Sequence, residues 1–148
     1  MSERSTVVLP PQIQVGIVVK DVEKTAEFFS SVLGIGPWEI RERAFTADEM
    51  RVGQPVKMKQ GMAYWGEVQI ELIQPLEGNT LYSEFLETKG EGLHHLRSRV
   101  KNMWEFVSKL EKVGIKVILS GWKEKEGGFA YLDTTKIGGV LFEVSEKI

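Results

Sequence analysis

The amino-acid sequence predicts an α+β fold of two tandem βαβββ modules, whose curled mixed sheets enclose an open metal-binding cleft. The first observation behind this is an internal repeat: VKDV at 19–22 resembles VKNM at 100–103, and GI recurs at 34–35 and 114–115. Similarity at a nearly constant spacing indicates a duplication. The second observation is that a strand pattern followed by a helix pattern opens each copy.

The first copy begins at Gln14 with a Val/Ile-rich strand. A helix follows, with Asp21 as its N-cap and Gly34 as its end, because short polar residues and glycine are the usual boundaries of a helix. Its apolar residues recur every three or four positions, as expected for one buried face: Val22, Ala26, Phe29 and Leu33.

The second copy repeats this plan from His95 onward. Asn102 takes the N-cap position and Gly114 the end of the helix. The apolar face again has helical spacing: Met103, Phe106, Leu110 and Val113.

Each copy then has room for three more strands, which completes the βαβββ pattern. The first two of these are predicted at 38–45 and 56–65 in the first copy, and at 116–121 and 129–133 in the second. The last strands are the similar segments VQIEL at 68–72 and VLFEV at 140–144.

These elements predict one domain over 1–148. A loose N-terminal tail at 1–11 precedes the first module at 12–77. A linker helix at 78–91, capped by Asn79 or Thr80, leads to the second module at 92–148.

Composition narrows the classes of function. The chain has no cysteine, which excludes disulfides, thiolate metal sites and a cysteine nucleophile. Its net charge of −2 does not indicate the excess of basic residues that is typical of nucleic-acid-binding domains. The apolar stretch before Pro10 is too short for a signal peptide or a membrane span. We therefore expect a cytoplasmic protein that acts on a small molecule, without nucleic-acid or membrane partners.

Four polar residues interrupt the apolar strands at positions that the repeat relates. Gln14 corresponds to His95 on the first strand of each copy, and Glu71 corresponds to Glu143 on the last. Strand side chains alternate between faces, so these four face away from their apolar neighbours. One imidazole, two carboxylates and an amide oxygen suit a divalent ion such as Zn, Ni, Co, Mn or Mg. The alternative is that they are solvated residues on the wet face of a half-buried sheet.

Two further residues lie near His95. Strand parity places His94 on the opposite face, where it is expected to pack against other residues or to support a metal-binding residue. Arg97 shares the face of His95 and could hold a substrate carboxylate with its planar guanidinium. Alternatively, Arg97 pairs with Glu71 or Glu143 and replaces the charge of the ion.

Four segments carry a resemblance to a known superfamily: QVGIVVKDVEKTAEFFSSVLGIGPW at 14–38, VQIELIQP at 68–75, GEGLHHLRSRV at 90–100 and GGVLFEV at 138–144. They resemble motifs of the vicinal oxygen chelate superfamily, which includes glyoxalases, bleomycin-resistance proteins and dioxygenases. Within it, the methylmalonyl-CoA epimerases are the most similar.

The resemblance implies that His95, Glu143 and Glu71 bind the metal. Epimerases have histidine as the first ligand where this chain has Gln14, and the resulting set resembles that of zinc glyoxalase I. Epimerases also carry a glutamate on the third strand of the first half, whereas the segment at 55–66 contains no acid between its ends.

The activity implied is that of a metal-dependent isomerase that epimerises an acyl-CoA α-carbon through an enolate, with methylmalonyl-CoA as the substrate. Glu143 is the expected base and Glu71 the group that reprotonates, since a positioned carboxylate can move the α-proton. The alternatives are a glyoxalase I-like lactoylglutathione lyase and a non-catalytic binder of small molecules. The resemblance also suggests a homodimer.

Overall fold

The protein is described by a computed structural model over residues 7–148. Residues 1–6 of the predicted tail lie outside the described residues. The elements follow the chain as β1 (Gln14–Val18), α1 (Val22–Leu33), β2 (Glu39–Phe45), β3 (Met50–Val52), β4 (Val56–Trp65), β5 (Val68–Glu77), α2 (Leu81–Lys89), β6 (Gly92–Arg99), α3 (Met103–Glu111), β7 (Val117–Lys123), β8 (Gly127–Leu132) and β9 (Phe142–Glu146).

The helices begin at the predicted caps. The Asp21 side chain accepts a hydrogen bond from the Lys24 amide, and Asn102 does the same for Glu105 in α3. Thr80 caps α2, which decides between the two predicted candidates. These side chains satisfy backbone donors that the first turn leaves free.

The helix ends differ between the two copies. Gly34 ends α1 in the left-handed conformation, with φ of 69°. α3 stops at Glu111, earlier than predicted, and Gly114 follows with φ of 91°. Among the residues that the structure describes, no helix is long and apolar enough to cross a membrane.

The two halves share one curled, nearly closed sheet of nine strands in the order β2-β4-β5-β1-β6-β9-β8-β7-β3. β1 pairs parallel with β5, and the equivalent β6 pairs parallel with β9. β1 and β6 pair antiparallel with each other at the centre of the sheet. The duplicated halves therefore meet along their first strands, and the last strand of each half lies just outside.

The short strand β3 is absent from the prediction. It pairs antiparallel with β7, although it belongs to the first half of the chain. Because β2 and β3 are neighbours in sequence but lie at opposite ends of the strand order, this pairing brings the two edges of the sheet together. The Glu49 carboxylate strengthens the junction by accepting a hydrogen bond of 2.7 Å from Lys123 Nζ.

Apolar residues occupy both faces of the curled sheet. Val22 and Ala26 of α1 pack on Ile70 and Leu72 of β5. In the second half, Met103 and Val107 of α3 pack in a cluster with Val144 of β9. A third cluster fills the space under α2 on the concave face: Val18, Phe45, Val56, Met58, Ile73, Tyr82, Leu119, Phe129, Tyr131 and Leu141. Strand alternation consequently directs Glu71 and Glu143 to the concave face, opposite to α1 and α3.

We predict that replacing Lys123 with Met weakens the β3–β7 junction in a pH-dependent way. The hydrogen bond from Lys123, followed by that from the Thr46 amide, lowers the pKa of Glu49 to about 2. A carboxyl whose pKa is lower in the folded than in the unfolded state stabilises the fold above its unfolded pKa, and this contribution is lost as the pH falls through the folded value.

The difference in unfolding free energy between wild type and Lys123→Met should therefore be largest above about pH 5 and shrink toward pH 3. Urea denaturation across this range measures it. Lys57→Met, which removes a pair with Glu77 on exposed side chains, is the control and should have a smaller effect. A difference that is constant with pH would contradict the assigned role of the Glu49–Lys123 pair.

Candidate metal and substrate site

The four predicted donor residues lie on four adjacent strands at the centre of the sheet. Glu71 is on β5, Gln14 on β1, His95 on β6 and Glu143 on β9. Gly16 of β1 is the register partner of both Glu71 and His95. All four residues are buried, so the alternative of solvated residues on a wet face does not hold for them.

The donor atoms converge on His95. Its Nε2 atom lies 3.3 Å from Glu71 Oε1, 3.4 Å from Gln14 Oε1 and 3.8 Å from Glu143 Oε1. One imidazole nitrogen thus faces three oxygens that come from three different strands.

These atoms fit a divalent ion in chemistry, although no group of three or more His, Asp or Glu within residues 7–148 is already arranged as a metal site. Ligand atoms bonded at 2.0–2.2 Å to one ion are about 3 to 3.5 Å apart when they are neighbours. The distances from His95 Nε2 to Glu71 and Gln14 fall within this range, and the 3.8 Å to Glu143 exceeds it. Nitrogen and oxygen donors suit borderline and hard divalent ions.

The amide of Gln14 is oriented by a residue that the sequence did not single out. Gln14 Nε2 donates a hydrogen bond of 2.8 Å to Gln69 Oε1. This leaves Gln14 Oε1 directed at His95. Gln60 plays a comparable part for Glu71, since its Nε2 donates to Glu71 Oε2.

The two carboxylates have different proton affinities. Burial raises the pKa of Glu71, but the hydrogen bond and charge of His95 and the charge of Arg97 outweigh it, so this pKa lies below its ordinary value. For Glu143, burial dominates and raises the pKa above its ordinary value. The negative charge of Glu71 reinforces that increase, against the opposing charges of His95 and Arg97. Glu143 is thus the stronger base of the two.

The predicted placement of His94 on the opposite face is wrong. The β1–β6 register shifts between Gly16 and Ile17, which leaves His94 in a bulge. The centre of its ring lies 5.7 Å from that of the Tyr131 ring, on the same side as His95. Its Nδ1 lies 2.9 Å from His95 Nδ1. Burial, followed by the charges of His95 and Lys89, lowers the pKa of His94 to about 3. His94 is therefore neutral, and its Nδ1 can accept a hydrogen bond from the neighbouring ring.

Tyr131 also lines the cleft. Its hydroxyl lies 3.4 Å from His95 Nδ1 and 2.9 Å from the hydroxyl of Tyr82. Burial raises the pKa of both phenols well above their ordinary value. Both therefore stay protonated at neutral pH.

The contacts of Arg97 are intermediate between those expected for its two predicted roles. Its Nε is 3.8 Å from Glu143 Oε1, which is an ion-pair contact and no hydrogen bond. Its Nη2 donates a long hydrogen bond of 3.4 Å to Gln69 Oε1. Arg97 faces a cavity of about 400 Å³ on the concave side of the sheet. The wall that β4 contributes to this cavity is Met58, Gln60 and Met62, without an acid.

Gly16 was missed by the sequence reasoning, although it interrupts the predicted strand β1. A Cβ atom at this position would overlap the imidazole ring of His95. A glycine inside a strand often marks such a close approach, and this was the available signal.

Comparisons with known proteins agree with this fold. The sequence profile described as the Glyoxalase/Bleomycin resistance protein/Dioxygenase superfamily matches residues 13–132. The uncharacterized protein YqjC of Bacillus subtilis is 29% identical over 134 residues, which cover 89% of each chain. The mitochondrial methylmalonyl-CoA epimerase of Bos taurus is 27% identical over 140 residues, covering 89% of this chain and 71% of the relative.

Solved structures show the same architecture. A Streptomyces coelicolor methylmalonyl-CoA epimerase in complex with 2-nitronate-propionyl-CoA superposes with a TM-score of 0.73 at 18% identity, covering 94% of this chain and 98% of the other. At this identity, the likeness establishes the shared fold alone.

We predict that Gly16→Ala destabilises the protein by about 1–3 kcal/mol, because the added methyl group displaces the His95 ring from a packed position. The matched control is Gly92→Ala on β6, where no heavy atom lies within 4 Å of an added Cβ. The control should change stability by less than about 0.5 kcal/mol. Urea denaturation of both variants measures this, and equal losses would contradict the packing role of Gly16.

Proposed function

The chain belongs to the Glyoxalase/Bleomycin resistance protein/Dioxygenase superfamily, and we propose that within it this protein is a metal-dependent isomerase. It epimerises the α-carbon of an acyl-CoA thioester through an enolate, with methylmalonyl-CoA as the substrate. The observation that carries the proposal is the convergence of Gln14, Glu71 and Glu143 on the Nε2 atom of His95. Similarity to the bovine methylmalonyl-CoA epimerase supports the choice of substrate.

Gln14, Glu71, His95 and Glu143 would hold the divalent ion. When bound, such an ion supplies Lewis-acid polarisation of the thioester carbonyl and stabilises negative charge that develops on its oxygen. Nickel, cobalt, zinc, manganese and magnesium all accept this donor set.

Glu143 is the proposed base. Its pKa is raised by burial, so its carboxylate is a stronger acceptor for a weakly acidic α-proton than an exposed glutamate. The proton moves from the α-carbon to a Glu143 oxygen. Glu71, on the equivalent strand of the other half, is the proposed donor to the opposite face. Its pKa is lowered, so Glu71 is ionised at neutral pH and must first take up a proton from solvent. After the transfer, Glu143 returns its proton to solvent. Because one proton leaves from one face of the α-carbon and another arrives at the opposite face, the configuration of this carbon is inverted.

Arg97 is proposed to bind the carboxylate of the substrate. Its side chain is 7% exposed, and its Nε has no hydrogen-bond partner within residues 7–148. A buried charged donor without an acceptor is costly, so a ligand that supplies one is favoured. The planar guanidinium matches the geometry of a carboxylate.

A glyoxalase-like lyase is the second candidate. The observation that favours it is the acid-free wall of Met58, Gln60 and Met62 on β4, combined with the amide oxygen of Gln14 among the donors. A hemithioacetal substrate would need the same removal of a carbon-bound proton by Glu143.

We predict that metal-loaded protein in deuterated water incorporates deuterium at the α-carbon of methylmalonyl-CoA, faster than an enzyme-free sample. Glu143→Gln should slow this exchange by about 10²- to 10⁴-fold, the usual contribution of a general base. Glu77→Gln, at an exposed position of β5, is the matched control and should exchange like wild type. Mass spectrometry of the recovered thioester measures the exchange.

The absence of exchange by metal-loaded wild type would overturn the isomerase proposal. Turnover of a glutathione hemithioacetal by the same sample would then favour the lyase. Tight binding of the acyl-CoA without either reaction would favour a non-catalytic binder.

We also predict that His94→Phe weakens metal binding by about 10- to 100-fold, the usual effect of removing a group that orients a ligand histidine. For His95 to offer the Nε2 lone pair, its Nδ1 must carry the proton, and His94 Nδ1 at 2.9 Å is the acceptor. Phenylalanine retains the aromatic contacts and removes only the acceptor.

Competition between the protein and a chelator for Co²⁺ measures this affinity. Phe85→Leu is the control, because its ring packs on His94 at 4.9 Å between centroids and has no polar atom that could hydrogen-bond to His95 Nδ1. Its Co²⁺ affinity should stay close to wild type. An unchanged affinity in His94→Phe would show that His94 does not orient the ligand.

A further inference from the structure

Two guanidinium groups that face the same cavity keep buried nitrogens without hydrogen-bond partners. These atoms are Arg43 Nη2 and Arg97 Nε; within residues 7–148, only Ser120 Oγ shares this property. Both arginines line the cavity of about 400 Å³ that also contains Glu71 and Glu143. Because a buried charged donor is costly to leave unpaired, both nitrogens point to a ligand with acceptor oxygens.

Arg43 projects from β2, which lies at the edge of the sheet, three strands away from β1. Its side chain is only 12% exposed. Its guanidinium carbon lies 5.2 Å from the centre of the Phe45 ring, and its Nη1 lies 4.0 Å from Glu126 Oε1. The latter distance exceeds that of a hydrogen bond, so Glu126 leaves the donors of Arg43 free.

The charges around the cavity do not balance. Six cationic side chains line it: Arg41, Arg43, Arg97, Arg99, Lys125 and Lys147. Only three acidic side chains do so: Glu71, Glu126 and Glu143. Burial, followed by the charge of Arg41, lowers the pKa of Arg43. An anion in the cavity would relieve this excess of positive charge.

We infer that Arg43 is a second anion-binding residue of this site, which together with Arg97 selects substrates whose reacting part carries a free carboxylate. Two guanidinium groups with unpaired N–H donors suit the oxygens of a carboxylate. Each planar guanidinium can donate hydrogen bonds to a carboxylate that lies in its own plane. The identity of the full substrate rests on the proposed function, whereas the anion site is testable without it.

A different role for Arg43 would be purely structural, as a latch between β2 and the turn that carries Glu126. The two roles differ in what Glu126→Gln does. In a latch, this change has the same effect as removing Arg43. In an anion site, it removes a competing carboxylate from the neighbourhood of Arg43 and leaves anion binding equal or tighter.

The test is a calorimetric titration of metal-free protein with malonate, so that chelation of a metal does not contribute. Wild type should bind malonate, and Arg43→Met should bind it about tenfold more weakly, the size expected for one hydrogen bond to a charged group. Arg51→Met is the control, because Arg51 lies on β3 and bonds to the backbone of Asp48; it should match wild type. Glu126→Gln should match wild type or bind more tightly.

A second arm uses inorganic phosphate, which should bind more weakly than malonate. Thermal melting of each variant confirms that it is folded. The inference is overturned if wild type does not bind malonate, or if folded Arg43→Met binds malonate as well as wild type. It is also overturned if Glu126→Gln weakens malonate binding as much as Arg43→Met does. Tighter binding of phosphate than of malonate would overturn the assignment to a carboxylate.

These results are independent of the proposed activity. Malonate binding that depends on Arg43, in a protein that exchanges no deuterium into methylmalonyl-CoA, would reject the isomerase and keep the anion site. Deuterium exchange by a protein that binds malonate equally well with and without Arg43 would keep the isomerase and reject the anion site.

Discussion

The antiparallel pairing of β1 with β6 determines both the order of the central strands and the position of the candidate site. It joins the first strands of the two halves at the centre of the sheet. Each first strand has the last strand of its own half as its parallel neighbour, so the order β5-β1-β6-β9 follows directly. One polar residue on the concave face of each strand is then enough to bring four donors together.

This convergence creates an electrostatic problem that shapes the surroundings. Two carboxylates, an imidazole and a guanidinium are buried within a few ångströms of one another. Such groups are stable only when they are paired or hydrogen-bonded. Gln60 donates to Glu71, while Arg97 approaches Glu143 only to 3.8 Å. The incomplete pairing of Arg97 is the physical basis for assigning it to a ligand.

Much of the fold could be predicted because it depends on local signals. The repeat, the caps Asp21 and Asn102, and the alternation around Glu71 and Glu143 are all written in short segments of sequence. Strand β3 and the bulge at His94 are different, because each exists only through pairing with a distant strand. No single segment carries that information.

The same distinction explains what was missed in the candidate site. The need for glycine at position 16 comes from a ring on β6, and the orientation of the Gln14 amide comes from Gln69 on β5. The proposed role of Arg43 depends on its burial and on an unpaired donor, which a sequence does not display. Residue types predicted the chemistry of the donors, whereas tertiary contacts determine how each donor is held.

Anomalous diffraction from crystals grown with Co²⁺ is the decisive experiment on the proposed metal site, because it locates the ion and its ligands together. We expect one ion in the concave cleft, bonded at about 2.0–2.2 Å to Gln14, Glu71, His95 and Glu143. A cleft without an ion, or an ion whose ligands exclude His95, would contradict it.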